Sequence, residues 1–128
     1  MTIEKNFKEI AEETRSRLSK RGQYGSSSDL YIDEKAEIAI IGIQTSESGS
    51  GHDTIYVLKN NGNLDNVLDK TFKSGRMWPT GILEDGSGFK YTIKFGDGEI
   101  HNRVYDFQKD TFYIEEVINP QPRPFYGI

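Results

Sequence analysis

Two histidines, His52 and His101, are the side chains of this sequence best suited to proton transfer near neutral pH. The ordinary pKa of an imidazole lies close to neutrality, so the ring can act as an acid or as a base. Arg103 follows His101 by two residues, which places both side chains on one face of a strand. A small ribonuclease can use one histidine as base, another as acid, and a cation to stabilise the phosphorane. One hypothesis is therefore a ribonuclease-like enzyme that uses His52, His101 and Arg103.

Motifs for a cofactor, a metal ion or a covalent mechanism do not occur in the sequence. The chain has no cysteine, which excludes disulfides, zinc-thiolate sites and thiol catalysis. The glycine-rich run Ser46–Gly51 lacks the Gly-Lys-Ser/Thr ending of a phosphate-binding loop, and a strand is predicted directly after it. No histidine or carboxylate spacing typical of a metal site is present. We therefore expect no metal and no cofactor, and we favour a protein that is not an enzyme.

The charge of the chain is acidic and unevenly distributed. The formal net charge is −4, but residues 1–22 carry +2, so the remainder carries −6. An acidic surface disfavours nucleic acid, because Lys and Arg do not neutralise phosphates over most of it, and it attracts a basic protein instead. The candidate binding residues are the carboxylates Asp29, Asp33, Glu34, Glu84, Asp85, Glu115 and Glu116, with Tyr31 or Trp78 as an aromatic anchor.

This combination of charge and missing motifs favours protein binding. An acidic surface can enter the cationic cleft of a basic, nucleic-acid-processing effector and block it, with electrostatically steered association. The leading hypothesis is an immunity protein or antitoxin-type inhibitor of bacterial or phage origin. A third hypothesis is a structural or assembly module of a phage or a secretion system, in which exposed strands pair with copies of the chain, and this includes a homodimer.

The sequence gives two indications of location. Its first residues are charged and lack the apolar core of a signal peptide. The longest apolar run, Ile38–Ile41, is far shorter than a membrane span. With the absence of cysteine, these features favour a cytoplasmic protein that does not enter a membrane.

The N-terminal segment from Ile3 to about Lys20 is predicted to be an amphipathic helix. Thr2 is available as its N-cap, and Gly22 can end it in the left-handed conformation. Apolar and small residues recur at spacings of three and four and form one stripe, which consists of Ile3, Phe7, Ile10, Ala11, Thr14 and Leu18.

Most of the remaining chain is predicted to form β-strands. Phe89–Phe95 alternates apolar and polar residues with period two, and the Asp-Gly pair that follows is typical of a tight hairpin. The predicted strands are Leu30–Ile32, Ala36–Thr45, Asp53–Lys59, Trp78–Leu83, Phe89–Phe95, Ile100–Phe107 and Thr111–Ile118.

The strand Ala36–Thr45 is apolar on both faces. One face carries Ile38, Ile40 and Gly42, and the other carries Ala39, Ile41 and Ile43. Such a strand is covered on both sides, and a glycine within it indicates a bulge or a close approach of another part of the chain.

A second, short helix is predicted for Leu64–Phe72, because Leu64, Val67, Leu68 and Phe72 recur at spacings of three and four. The fold class is then α+β. One domain, residues 1–118, packs the N-terminal helix on a mainly antiparallel sheet of about five to seven strands that ends in a β-meander. Residues 119–128 form a proline-rich, extended tail.

Overall fold

The computed structural model describes residues 6–20, 27–47, 50–60, 62–72 and 75–119, and these form one helix and eight strands. The α+β class with antiparallel strands is therefore confirmed. In chain order the elements are α1 (Phe7–Ser19), β1 (Ser27–Asp33), β2 (Ile38–Glu47), β3 (Ser50–Lys59), β4 (Leu64–Phe72), β5 (Gly75–Ile82), β6 (Gly88–Phe95), β7 (Ile100–Asp106) and β8 (Thr111–Ile118).

The strands form two four-stranded sheets rather than the single sheet that was predicted. The first sheet has the order β1-β2-β3-β4 and the second the order β5-β6-β7-β8. Within each sheet, every strand pairs antiparallel with its neighbour in the chain, so each sheet is a meander. The predicted C-terminal meander is present and also includes β5. Within the turn between β6 and β7, Gly98 has a φ of 94°, which glycine adopts without strain.

The predicted second helix is wrong, because Leu64–Phe72 forms β4 and pairs with β3. The register shifts between Ile55 and Tyr56, where Leu68 lies opposite Ile55 and Asn66 lies opposite Tyr56. Val67 is the extra residue of this bulge. Leu64 packs towards α1, whereas Val67 and Leu68 pack towards the second sheet. After the bulge, the residues of β4 point to the opposite face from the one that alternation alone would give. The apolar residues of this strand therefore recur at the spacings of three and four that are typical of a helix.

The helix α1 begins at Phe7, and its N-cap is Asn6 rather than Thr2. The side-chain Oδ1 of Asn6 accepts a hydrogen bond from the backbone N–H of Glu9 at 2.9 Å, which satisfies one of the free donors at the helix start. Ala11, Thr14 and Leu18 are buried, so this part of the predicted stripe is confirmed. Ile3 and Gly22 lie outside the described residues.

The molecule has three layers, with α1 on one face of the first sheet and the second sheet on the other. On the helix side, Ala11 packs with Ala39 and Leu58, and Leu18 packs with Ile41 and Ile43. The two-sided burial predicted for β2 is confirmed. The core between the sheets consists of Ile40, Ile55, Val57, Met77, Phe89, Tyr91, Ile93 and Tyr105.

The strand β5 joins the two sheets, since it approaches β1, β2, β3 and β4. A strand can reach all four strands of another sheet only when it runs across them. Gly42 permits this crossing, because a Cβ at this position would lie 2.3 Å from Cδ of Pro79. The close approach predicted from Gly42 is therefore present. Among the described residues, no helix combines the length and the apolar character that crossing a bilayer requires.

Candidate functional site

The most exposed element of the described structure is β8, the edge strand of the second sheet. All eight of its residues are exposed to solvent. The exposed large apolar side chains range from 41% exposure for Phe112 to 54% for Tyr113, and they are Phe112, Tyr113, Ile114, Val117 and Ile118. Exposed apolar side chains gathered on one element are typical of an interaction site, whereas single ones are ordinary. We call the side chains of residues 111–118 the β8 surface.

A bulge in β8 places both acidic side chains on the outer face, which also carries Tyr113 and Ile118. Asn102 lies opposite Glu116 and Arg103 lies opposite Ile114, so Glu115 is the extra residue. In a regular strand, two consecutive glutamates would point to opposite faces. Here both carboxylates meet side chains of the outer face, since Glu115 pairs with Lys90 at 3.5 Å and Glu116 accepts a hydrogen bond from Asn102 at 2.8 Å.

The inner face of β8, which continues the side of the second sheet that faces the core, is apolar. Its register positions are Phe112 opposite Tyr105, Ile114 opposite Arg103 and Val117 opposite His101. A groove of about 580 Å³ opens next to Phe112, between β4 and the turn that precedes β8. The walls of this groove include the apolar side chains of Val67, Leu68, Phe107 and Phe112 and the charged side chains of Lys59, Asp65 and Asp110.

Only one of the two β8 carboxylates has a cationic partner among the described residues. The ion pair of Glu115 with Lys90 is exposed on both sides, and such pairs contribute little to stability in water. The hydrogen-bond partner of Glu116 is the neutral amide of Asn102, which is itself held by Thr92 at 2.8 Å. The outer face of β8 therefore presents unneutralised negative charge.

His101 and Arg103 lie together beneath β8. Nη2 of Arg103 donates a hydrogen bond to Nδ1 of His101 at 2.9 Å, so Nε2 of His101 carries the proton that it donates to Glu99 at 2.7 Å. The guanidinium carbon of Arg103 lies 4.3 Å from the centre of the Phe112 ring, at the distance of a cation–π interaction. Both ring nitrogens of His101 are thus engaged in contacts that support the strand.

His52 is placed far from this cluster in the architecture. It lies on β3 of the first sheet, opposite Thr45, on the face that carries α1. Its imidazole pairs with Asp69 of β4. His101 is on the second sheet, opposite Ile93, on the face that packs against the first sheet. The structure brings His101 and Arg103 together but does not bring the two histidines together, so the geometry of a paired acid and base is not assembled.

A second group of predicted residues meets where the β1–β2 turn and the β5–β6 turn approach each other. Tyr31, Asp33, Glu34 and Glu84 line a cleft of about 550 Å³, which we call the acidic cleft, and Lys8 of α1 lies at its border. Within the β1–β2 turn, Asp33 accepts a hydrogen bond from the backbone N–H of Ala36 at 3.0 Å. Nothing in the sequence indicates that the two turns meet.

The remaining predicted residues serve local structure. Hydrogen bonds from the hydroxyl and the backbone N–H of Ser87 lower the pKa of Asp85, which organises the β5–β6 turn. Asp29 lies in β1 opposite Gly42, and partial burial raises its pKa. Trp78 lies in β5 opposite Thr92, half-buried and away from the lining of the acidic cleft.

Six of the nine predicted binding residues thus lie on the β8 surface or in the acidic cleft, and among the described residues of these two places only the β8 surface exposes large apolar side chains. In the parts of the chain that the structure describes, no group of three or more metal-binding side chains is close enough to share an ion. Comparisons with protein-family models, with curated proteins and with solved structures found no significant match.

Proposed function

We propose that this protein binds another protein through the β8 surface and acts as an acidic inhibitor of a basic, nucleic-acid-processing effector, in the manner of an immunity protein or an antitoxin. The observation that carries this proposal is the exposure of all eight residues of an edge strand, five of them large and apolar. Burying apolar surface contributes about 25 cal/mol per Å², so a partner that covers these side chains gains binding free energy. Aromatic and large apolar residues are enriched at protein interfaces for this reason.

The charge around β8 supports a basic partner. The chain beyond residue 22 carries −6, and the carboxylate of Glu116 meets no cationic side chain among the described residues. Complementary charge accelerates the encounter of two proteins and selects against wrong partners. A nucleic acid would be repelled by the same carboxylates.

The same charge disfavours the pairing of β8 with a second copy of itself. Glu115 and Glu116 lie near the middle of the strand, so a two-fold axis through an antiparallel β8–β8 pair would bring four carboxylates close together. Like charges opposite each other destabilise a strand pair. An assembly module that polymerises through β8 is therefore disfavoured relative to a basic partner.

Affinity capture with the full chain from its source cells tests the proposal, followed by titration calorimetry with the purified captured protein. We expect a basic protein at one-to-one stoichiometry. The variant Ile114→Asp places a charge in the apolar inner face and should weaken binding at least about thirtyfold, as expected for a central interface residue.

Ser16→Asp is the matched control, because it adds the same charge at an exposed position on α1, which lies on the far face of the first sheet. It should leave the affinity unchanged, and thermal unfolding should show that both variants fold. Equal binding by wild type and Ile114→Asp would contradict the proposal.

A further inference from the structure

We infer that the basic partner docks by strand addition: an extended segment pairs with β8 as a fifth strand of the second sheet, with apolar side chains on the inner face beside Phe112 and lysine or arginine side chains on the outer face beside Glu115 and Glu116. This inference rests on the proposed function and specifies the chemistry of the partner. It assigns roles to the backbone edge of β8, to the carboxylates Glu115 and Glu116, and to the groove.

The first argument is the open edge. β7 pairs with one side of β8, and no other described segment pairs with the opposite side. The unpaired N–H and C=O groups of an edge strand form a template for another strand. β5 is the other edge strand of this sheet. Because it lies across the four strands of the first sheet, it is less accessible to an added strand than β8. The side chains on both faces of β8 are exposed, so no described helix or strand covers them.

The second argument is the pattern of side chains. The bulge leaves apolar side chains on the inner face and places the carboxylates of Glu115 and Glu116 on the outer face. A fifth strand continues both faces of the sheet, since its side chains alternate in the same way. Its inward residues would lie beside Phe112 and Ile114, and its outward residues beside the two glutamates. A segment of alternating apolar and basic residues therefore matches β8.

The third argument is the groove of about 580 Å³ between β4 and β8. Its apolar walls include Val67 and Phe112, and its charged side chains are those of Lys59, Asp65 and Asp110. An apolar side chain on the inner face of a fifth strand gains free energy when it packs against these apolar walls. The groove reaches Phe112 at the start of β8, where a side chain from a fifth strand could enter it.

Synthetic octapeptides test the inference with the full chain. The probe alternates valine and lysine; a matched peptide has glutamate in place of lysine; a third keeps the lysines but carries two adjacent N-methyl groups, which remove an N–H from each edge. We expect the lysine peptide to bind, measured by fluorescence anisotropy, and to protect the backbone amides of Thr111–Ile118 from hydrogen exchange. The other two peptides should bind at least about tenfold more weakly, which corresponds to about 1.4 kcal/mol.

Charge variants locate the site. Glu115→Gln/Glu116→Gln should weaken binding of the lysine peptide at least about threefold, and raised salt should reduce the difference. The matched control Glu34→Gln/Glu84→Gln removes the same charge as the glutamate pair of β8, but at the acidic cleft. It should leave the affinity unchanged.

The outcomes separate this inference from the proposed function. Equal binding of the N-methylated peptide, or protection at the acidic cleft, would overturn strand addition while a basic partner still bound. Strand addition would also be overturned if a captured protein bound to the chain but the lysine peptide did not. A dimer in sedimentation analysis, with β8 protected in the absence of peptide, would make a second copy the occupant and overturn the inference. If neither peptide nor basic protein bound, both proposals would fail.

Discussion

Asp53 and Arg76 form an ion pair that joins the two sheets. The carboxylate of Asp53 on β3 is fully buried and accepts hydrogen bonds from Nη2 and Nε of Arg76 at 2.8 and 3.1 Å. It also accepts one from the backbone N–H of Met77 at 2.6 Å. These three bonds hold the first residues of β5 against the first sheet, and β5 positions the meander that ends in the β8 surface.

Removing the cationic partner should destabilise the protein strongly. Arg76→Ala leaves a buried carboxylate without its counter-charge, so we expect the free energy of unfolding to fall by about 3 kcal/mol. Asp69→Ala is the control, because it breaks the exposed pair with His52 and should cost less than about 1 kcal/mol. Urea unfolding measures both. If Arg76→Ala unfolded at the urea concentration of wild type, the pair would have no such structural role.

The crossing of β5 over β2 predicts a contrast between two glycines. Gly42→Ala places a methyl group 2.3 Å from Pro79, so it should destabilise the fold by about 1 to 3 kcal/mol. Gly81→Ala on β5 meets no atom within 4 Å and should change stability by less than about 1 kcal/mol. Thermal unfolding of both variants checks the contrast. Equal melting temperatures would mean that the sheets are not in contact at Gly42.

The phenol of Tyr105 should lose its proton at a higher pH than that of an ordinary tyrosine. Burial, together with the hydrogen bond to Asp110 and its negative charge, raises the pKa of Tyr105 from 10.0 to about 12. Between these pH values the unfolded chain has released the proton and the folded one has not, so this group's contribution to stability is present below pH 10 and is lost as the pH rises to about 12.

The difference in ultraviolet absorbance between wild type and Tyr105→Phe, followed with pH, isolates this phenol. Asp110→Asn keeps a residue that tolerates the positive φ of 51° and should lower the pKa of Tyr105 towards 10.0. An unshifted pKa in this variant would contradict the role of the aspartate.

Two of the predicted binding carboxylates should affect stability with opposite signs. Burial raises the pKa of Asp29 above 3.8, so its charged form costs stability once the pH has risen through the raised value, and Asp29→Asn should stabilise the fold at pH 7. Hydrogen bonds from Ser87 lower the pKa of Asp85, so its contribution is present above pH 3.8 and is lost as the pH falls through the lowered value.

Asp85→Asn should therefore be less stable than wild type at pH 7, and the difference should vanish in acid. Urea midpoints at pH 7 and in acid, measured for wild type and for both variants, test the two signs. Two effects of the same sign would show that the local environments differ from those described.

Periodicity predicted the parts of the fold where the chain is regular. The two apolar faces of β2 follow from Ile38, Ile40, Ala39 and Ile41, and both are covered as expected. It failed where a strand bulges, because Val67 in β4 changes the face on which the following residues lie. The division into two sheets could not be predicted, since it depends on β4 and β5 not pairing with each other.

The candidate site was predictable only in part. Glu115 and Glu116 were identified by charge, but the apolar side chains beside them were assigned simply to a strand. The spacing of two and then three between Phe112, Ile114 and Val117 is the signal that indicates a bulge with one apolar face. The acidic cleft depends on the meeting of distant turns, which a local pattern does not encode.

Site-specific photocrosslinking tests the binding role of β8 most directly. A benzophenone side chain in place of Tyr113, the most exposed apolar residue of β8, is activated in the source cells, and the same group in place of Ser16 on α1 serves as control. We expect one basic protein to be crosslinked at position 113 and not at position 16. No crosslinked protein at position 113, or the same proteins at both positions, would contradict the assignment of β8 as the binding surface.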